Sequence, residues 1–177
     1  MSEYLNQVCL AMKRVSQVKN TIFLGQSVKY SGNSIYASLK DVPMKKKVEL
    51  PVFEEVQMGI TIGLAMQGFV PITCFPRFDF LILALNQLVN HADKIDHLTN
   101  NQFKSKIIIR TLVGAKKPLD AGPQHTQDHT EALKKLLINT KIIKIKKNSN
   151  VLKEYLEPFK NNKYKIFLFV EDGNNYA

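Results

Sequence analysis

The sequence predicts an α/β fold, a mostly parallel twisted sheet with helices on both faces. Three observations carry this. Short apolar runs of strand length recur at 21–25, 47–51, 70–75, 106–112, 141–145 and 165–170. Helical patterns or long polar loops separate them, which leaves room for the crossover connections that parallel strands need. The run Lys106-Ile-Ile-Ile-Arg-Thr-Leu112, with three consecutive isoleucines, is the clearest buried strand.

The elements follow in order. Leu5, Val8, Cys9, Met12 and Val15 recur at helical spacing across 2–19, with Ser2 as N-cap. Thr21-Ile-Phe-Leu-Gly25 is a strand ended by glycine, and 26–45 read mainly as loop. A short strand at 47–51 is closed by Pro51, and 54–68 form a helix. In Val70-Pro-Ile-Thr-Cys-Phe75 the proline sits near the strand's beginning, where it is tolerated. Residues 79–94 read as one strong helix with Phe80, Leu83, Ala84, Leu88 and His91 on one face. After the 106–112 strand, 113–128 form a long polar loop with two glycines and two prolines. A helix at 129–137, a strand at 141–145, a helix capped by Ser149 and running to 159, and a strand at 165–170 complete the pattern. One domain, 1–172, is expected, with 173–177 as a short tail and no internal repeat.

Composition narrows the classes of function. With 177 residues and 45 % hydrophobic content, a single domain has enough apolar side chains for a full core. No apolar run approaches the roughly 20 residues needed to span a bilayer. The start, Met-Ser-Glu-Tyr-Leu, lacks a signal peptide's charged and apolar regions. Cys9 and Cys74 make no disulfide framework and have no metal-ligand neighbour. A reduced, cytoplasmic protein with two core thiols is expected. The net charge of +10 comes from lysines interspersed among Ile and Asn, with arginine only at positions 14, 77 and 110. Readers of nucleic acid favour the bidentate arginine fork. Non-specific attraction to anions at low salt is expected, and dedicated nucleic-acid binding is not.

The most informative stretch is Pro51-Val-Phe-Glu-Glu-Val-Gln-Met-Gly59-Ile-Thr-Ile-Gly63-Leu-Ala-Met-Gln-Gly68. It sets Glu54 at the start of an apolar helix. Gly59 and Gly63 are four apart, so they share a face and leave a flat strip. Each costs about 1 kcal/mol of helix stability relative to alanine. Two readings are open: a glycine-rich helix–helix contact with an exposed Glu54, or a strip approached by a ligand beside a functional carboxylate. Segments 51–54, 75–80 and 113–127 all follow strands, and sites in such folds form at the carboxyl ends of strands. Phosphate-binding glycine loops and a nucleophile elbow are absent. His125 and His129 are a metal-ligand pair only if both lie on a helix, and Pro123 places His125 in a loop. His91 and His97 read as helix-surface or capping residues.

A family resemblance rests on an ordered series. Glu54, Gly59, Gly63 and Gly68 are followed by Pro71-Ile72, Phe78-Asp-Phe80, Asn86-Gln87 and Asn90. Arg110 and Gln124-His125-Thr126-Gln127 come next. The opening helix with Tyr4 and Met12, then Phe23-Leu-Gly-Gln-Ser-Val28, agrees too. The chain resembles the pyrimidine-binding domain of thiamine-diphosphate enzymes, in the transketolase-like superfamily. More narrowly, it is similar to the first half of the beta subunit of the 2-oxoacid dehydrogenase decarboxylating component.

The resemblance implies that Glu54 hydrogen-bonds the cofactor's aminopyrimidine ring nitrogen and favours the imino tautomer, which takes the thiazolium proton. Such a carboxyl must be desolvated enough to share a proton near neutral pH. Phe80 matches the aromatic position against the pyrimidine, with Val52 and Pro76 as further cofactor contacts. His125 matches a loop histidine facing the substrate, where proton transfer or oxyanion stabilisation is needed. Arg110 reads either as a ligand contact or as a holder of the loop. Gln87 and Asn90 read as subunit contact or helix packing.

The chain also departs from the family. Cys74 stands where the family carries an acidic residue, Phe75-Pro-Arg77 is this chain's own, and Lys116-Lys-Pro-Leu-Asp120 lengthens the loop before His125. After Val170-Glu171 the family's beta subunit continues into a further domain, and no Gly-Asp-Gly motif for magnesium and diphosphate is present. The expectation is therefore half of a site for thiamine diphosphate and Mg2+, completed by a separate diphosphate-binding, alpha-like subunit in an α2β2 heterotetramer. Some sulfopyruvate decarboxylases and split transketolases offer analogies. The expected reaction is cleavage beside a carbonyl, by 2-oxoacid decarboxylation or ketol transfer. The alternative is a non-catalytic regulatory or assembly subunit that kept the fold.

Overall fold

A computed structural model describes residues 2–116 and 120–177. Six strands form one all-parallel sheet: β1 (Thr21–Gly25), β2 (Lys47–Glu49), β3 (Val70–Phe75), β4 (Ile107–Val113), β5 (Thr140–Ile145) and β6 (Ile166–Asp172). Their order is β2-β1-β3-β4-β6-β5. The longest pairing runs from Ile107 opposite Ile166 to Val113 opposite Asp172. Every strand therefore ends on the same rim. The predicted α/β class and parallel sheet are what is found.

Strand side chains alternate between two cores, as the two-residue period requires. On one face Ile108, Phe167 and Phe169 pack with Val8, Met12 and Val15 of α1 (Glu3–Ser16). Ile35 of α2 (Ser34–Ser38) and Tyr155 of α7 (Val151–Leu156) join them. On the other face Ile107, Ile109 and Leu168 meet Met58 and Ala65 of α3 (Glu54–Met66). Phe78 and Leu81 of α4 (Phe78–Leu81) and Leu133 of α6 (Thr130–Leu136) complete that core. Cys9 and Cys74 are both free and buried.

The structure departs from the sequence reading in places. Residues 79–94 do not form one regular helix. After α4 come a 3₁₀ turn (Ile82–Ala84), a π-helical turn (Gln87–Ala92) and α5 (Ile95–Leu98). The Asp93 N–H bonds the Leu88 carbonyl five residues back, at 2.8 Å. The buried face is Phe78, Leu81, Ala84, Leu88 and Ala92, and Leu83 and His91 are exposed. The wide turn leaves Asp93 inward, where its carboxylate accepts from the Ile138 and Asn139 N–H groups and from Thr140 Oγ1. Within 26–45, the Asn33 side chain caps α2 through the Tyr36 N–H. Ser2 caps α1 as read, but α7 is capped by Asn150, which accepts from the Lys153 N–H, and not by Ser149.

Gly173–Tyr176 form a 3₁₀ turn that returns to the body of the domain. Tyr176 donates to Glu171, accepts from Arg110 Nη2 at 2.8 Å, and meets Tyr4 edge-on at 5.2 Å. Arg110 is wholly buried on β4. Its Nε lies 2.5 Å from Glu171 Oε1, and its Nη1 donates to Ser38 at 2.7 Å. What the structure shows for Arg110 is an ion pair inside the fold, which is neither of the two readings.

Candidate functional site at the carboxyl rim

The strand ends deliver the expected segments to one rim. The link from β2 to α3 carries Pro51, Val52 and Phe53, all exposed. Glu54 follows as the first residue of α3 and is only 4 % exposed. Gln26, directly after β1, donates from Nε2 to Glu54 Oε1 at 3.0 Å and is itself buried. Its neighbour Glu55 points outward and accepts from Asn86 Nδ2 at 3.1 Å. Burial thus separates the two adjacent acids, and Glu54 is the inward one.

The helix is anchored beneath Glu54 by Gln57. Its Nε2 donates to Thr73 Oγ1 at 2.9 Å and to the Cys74 carbonyl at 3.0 Å. Gly25 makes this close approach feasible. Its φ is +137°, and a Cβ there would collide with the Cys74 carbonyl and stand 2.9 Å from Gln57 Nε2.

A second cluster forms where β3 and β4 end. Pro76 is buried, and Phe80 meets the His125 ring edge-on at 5.5 Å. Phe78 meets His129 in the same way at 5.4 Å. Between these aromatics, Asp79 Oδ1 accepts from Gln127 Nε2 at 2.8 Å and lies 3.6 Å from His129 Nε2. A Cβ at Gly114 would strike the His125 carbonyl, so this glycine lets the loop's backbone pass over the end of β4. His125 Nδ1 is buried without a hydrogen-bond partner, an atom left over from the fold's own bonding.

The structure brings Phe80 and His125 together and holds Glu54 with Gln26. Among the described residues no hydrogen bond or ring contact joins Glu54 to the Phe80–His125 pair. Val52 projects at the rim and is 77 % exposed. Sequence reasoning did not single out Gln26 or Asp79, although both lie inside motifs it quoted. The lengthened loop at 116–120 falls partly outside the described residues, because positions 117–119 are not described. Among the described residues no group of three or more His, Cys, Asp and Glu is arranged to hold a metal.

The glycine strip lies at the surface. A Cβ added at Gly59 or Gly63 would meet nothing within 4 Å. Phe53, Val56 and Ile60 flank it with 40–58 % exposure, and Gln87 closes one side of the groove. These side chains leave apolar surface exposed beside an open helix face. Among the described residues no helix is long and apolar enough to cross a membrane.

Comparison with known proteins agrees with the resemblance read from the sequence. No protein-family model matches the chain. The chain is similar to the 2-oxoisovalerate dehydrogenase subunit beta of Bacillus subtilis (strain 168), 27 % identical over 146 residues. That match covers 80 % of this chain and 43 % of the relative. It is also similar to the pyruvate dehydrogenase E1 component subunit beta of Gracilaria tenuistipitata var. liui, 32 % identical over 112 residues. Here 61 % of this chain and 34 % of the relative are covered. The chain thus spans less than half the length of these relatives. Among solved structures, a split gene transketolase, described as an inactive beta4 tetramer, has the same fold, with a TM-score of 0.61 and 12 % identity. That alignment covers 96 % of this chain and 51 % of the other.

Proposed function

We propose that residues 1–172 are the pyrimidine-binding domain of a split thiamine-diphosphate enzyme, a beta-like subunit sharing its active site with a separate diphosphate-binding chain. The observation that carries this reading is Glu54, a buried carboxylate at a helix start, held by Gln26 on the rim where ligands of parallel sheets bind. The similarity to dehydrogenase beta subunits supports it. The reaction is cleavage beside a carbonyl, of a 2-oxoacid or a ketose.

The residues fit the cofactor's pyrimidine half. Glu54 offers a fixed carboxyl for a ring nitrogen, and Phe80 and Val52 offer apolar surface for the ring, with the buried Pro76 a support behind the rim rather than an open face. Thiamine diphosphate, when bound, supplies a carbon that adds to a carbonyl and accepts the charge left by the broken bond. Glu54 holds a proton at the ring nitrogen, and Gln26 keeps its carboxyl from rotating away. His125, with Nδ1 unbonded in the fold, carries a proton to or from the substrate oxygen. Magnesium and the diphosphate are assigned to the partner chain.

The exposed strip of Phe53, Val56, Gly59, Ile60 and Gly63 is the surface proposed for assembly into an α2β2 heterotetramer. The two free buried thiols suit a reducing, cytoplasmic compartment. The test is activity of the complex reconstituted with a candidate diphosphate-binding chain, on 2-oxoacids and ketose phosphates. Turnover by the wild type and its loss in Glu54→Gln are expected. Equal turnover by both would overturn the reading.

A further inference from the structure

We propose that Asp79 is a positioning residue that sets the pose of His125 by gripping the loop just beyond it. The inference builds on the reading of His125 as the substrate-facing histidine. Asp79 sits in α4, the short turn after β3, and its side chain is only 7 % exposed. One carboxylate oxygen takes the Gln127 hydrogen bond at 2.8 Å and lies 3.6 Å from His129 Nε2. The other oxygen, Oδ2, is buried without a partner, as is His129 Nε2. Burying a carboxylate so incompletely satisfied is costly. The core does not need this residue, since Phe78 and Leu81 supply the apolar contacts of α4.

What Asp79 does is reach the loop. Asp79 and Phe80 are consecutive on a short turn fixed to the sheet. Phe80 contacts the His125 ring, and Asp79 holds Gln127 two residues later and faces His129 four residues later. Upstream, the His125 N–H and the Thr126 hydroxyl both donate to the Gly122 carbonyl at 3.1 Å, which folds the loop onto itself without tying it to the sheet. The segment 120–129 has no helix or strand ladder, so side-chain contacts set its position. A reacting group displaced by about 1 Å loses roughly a hundredfold in rate. The Asp79 grip therefore fixes a distance that matters to turnover.

The test uses the full chain with Asp79→Ala, Asp79→Asn and Gln127→Ala. In the chain alone, the His125 ring resonances, assigned with His125→Ala, report the ring current of Phe80. They are expected to move toward unstructured-histidine positions in both alanine variants. Asp79→Asn keeps an acceptor for Gln127 and is expected to remain near wild type. In the reconstituted complex, both alanine variants are expected to lower kcat roughly 10- to 100-fold, with KM within about twofold and Asn restoring most of it. Unmoved His125 resonances in folded alanine variants would overturn the proposal, as would an unchanged kcat. Gln127 is exposed, so its variant carries the test even if Asp79→Ala does not fold. If the complex proves inactive, the functional reading fails, and the resonances of the chain alone still decide whether Asp79 holds the loop.

Discussion

Gln26 donates a hydrogen bond to the Glu54 carboxylate at 3.0 Å, tying the residue after β1 to the first residue of α3 across the sheet's rim. Both side chains are buried, so the carboxyl has one fixed orientation. Gln26→Leu keeps the volume and removes the donor. An unsatisfied buried partner costs about 1–3 kcal/mol. The expected result is thiamine-diphosphate affinity reduced roughly 5- to 100-fold in the reconstituted complex. Titration calorimetry checks it, with the melting temperature of the chain as control.

Gly59 offers a prediction in which two effects have opposite signs. Nothing lies within 4 Å of a Cβ built there, so alanine adds helix propensity without a clash. Gly59→Ala is expected to stabilise the isolated chain by about 0.5–1 kcal/mol. The same methyl occupies the strip proposed for assembly and is expected to weaken association. Urea unfolding of the chain and sedimentation of the assembly measure the two effects separately.

The buried pair Arg110–Glu171 sets the response to pH. Burial alone raises the Glu171 pKa. The Arg110 guanidinium and the hydrogen bonds from Tyr155 and Tyr176 outweigh that and hold the carboxyl below the usual 4.5. A depressed folded value means that the stabilisation is fully present above about pH 4.5. It is lost as pH falls through the lower folded value. Tyr155 sets the opposite limit. Burial, and then the Glu171 charge, raise its pKa well above 10.0, so its contribution is present below 10.0 and lost as pH rises beyond it. Urea unfolding across pH is expected to show both declines.

Removing one partner leaves a buried charge. Arg110→Met is expected to cost about 3–5 kcal/mol, and the double variant Arg110→Met, Glu171→Leu to recover much of that loss. A double-mutant cycle by urea unfolding measures the coupling.

Gly114→Ala is expected to act on the loop more than on the core. Its Cβ would strike the His125 carbonyl, which is backbone and cannot swing aside. The loop must shift, at about 1–3 kcal/mol by the usual cost of overpacking. Activity of the complex is expected to fall more steeply than the melting temperature of the chain.

Much of this was legible before the structure. The apolar runs marked every strand, and their spacing implied parallel pairing, because both depend on local pattern. The motif series singled out Glu54, Phe80 and His125 for the proposed site, and their roles there are proposals. What was missed depended on contacts distant in sequence. The irregular turns within 79–94 follow no proline or glycine, and the inward-facing Asp93 bonds residues 45–47 positions away. Nothing local links Tyr176 to the Arg110–Glu171 pair it bonds. Gln26 was unremarkable until β1 and α3 stood side by side.

The central claim is that Glu54 belongs to half of a shared cofactor site. Calorimetric titration of thiamine diphosphate with magnesium into this chain mixed with a candidate diphosphate-binding chain tests it most directly, with Glu54→Gln alongside. The account predicts binding by the mixture, none by the chain alone, and a large loss of affinity in the variant. Equal affinity in wild type and Glu54→Gln, or no binding by the mixture, would contradict it.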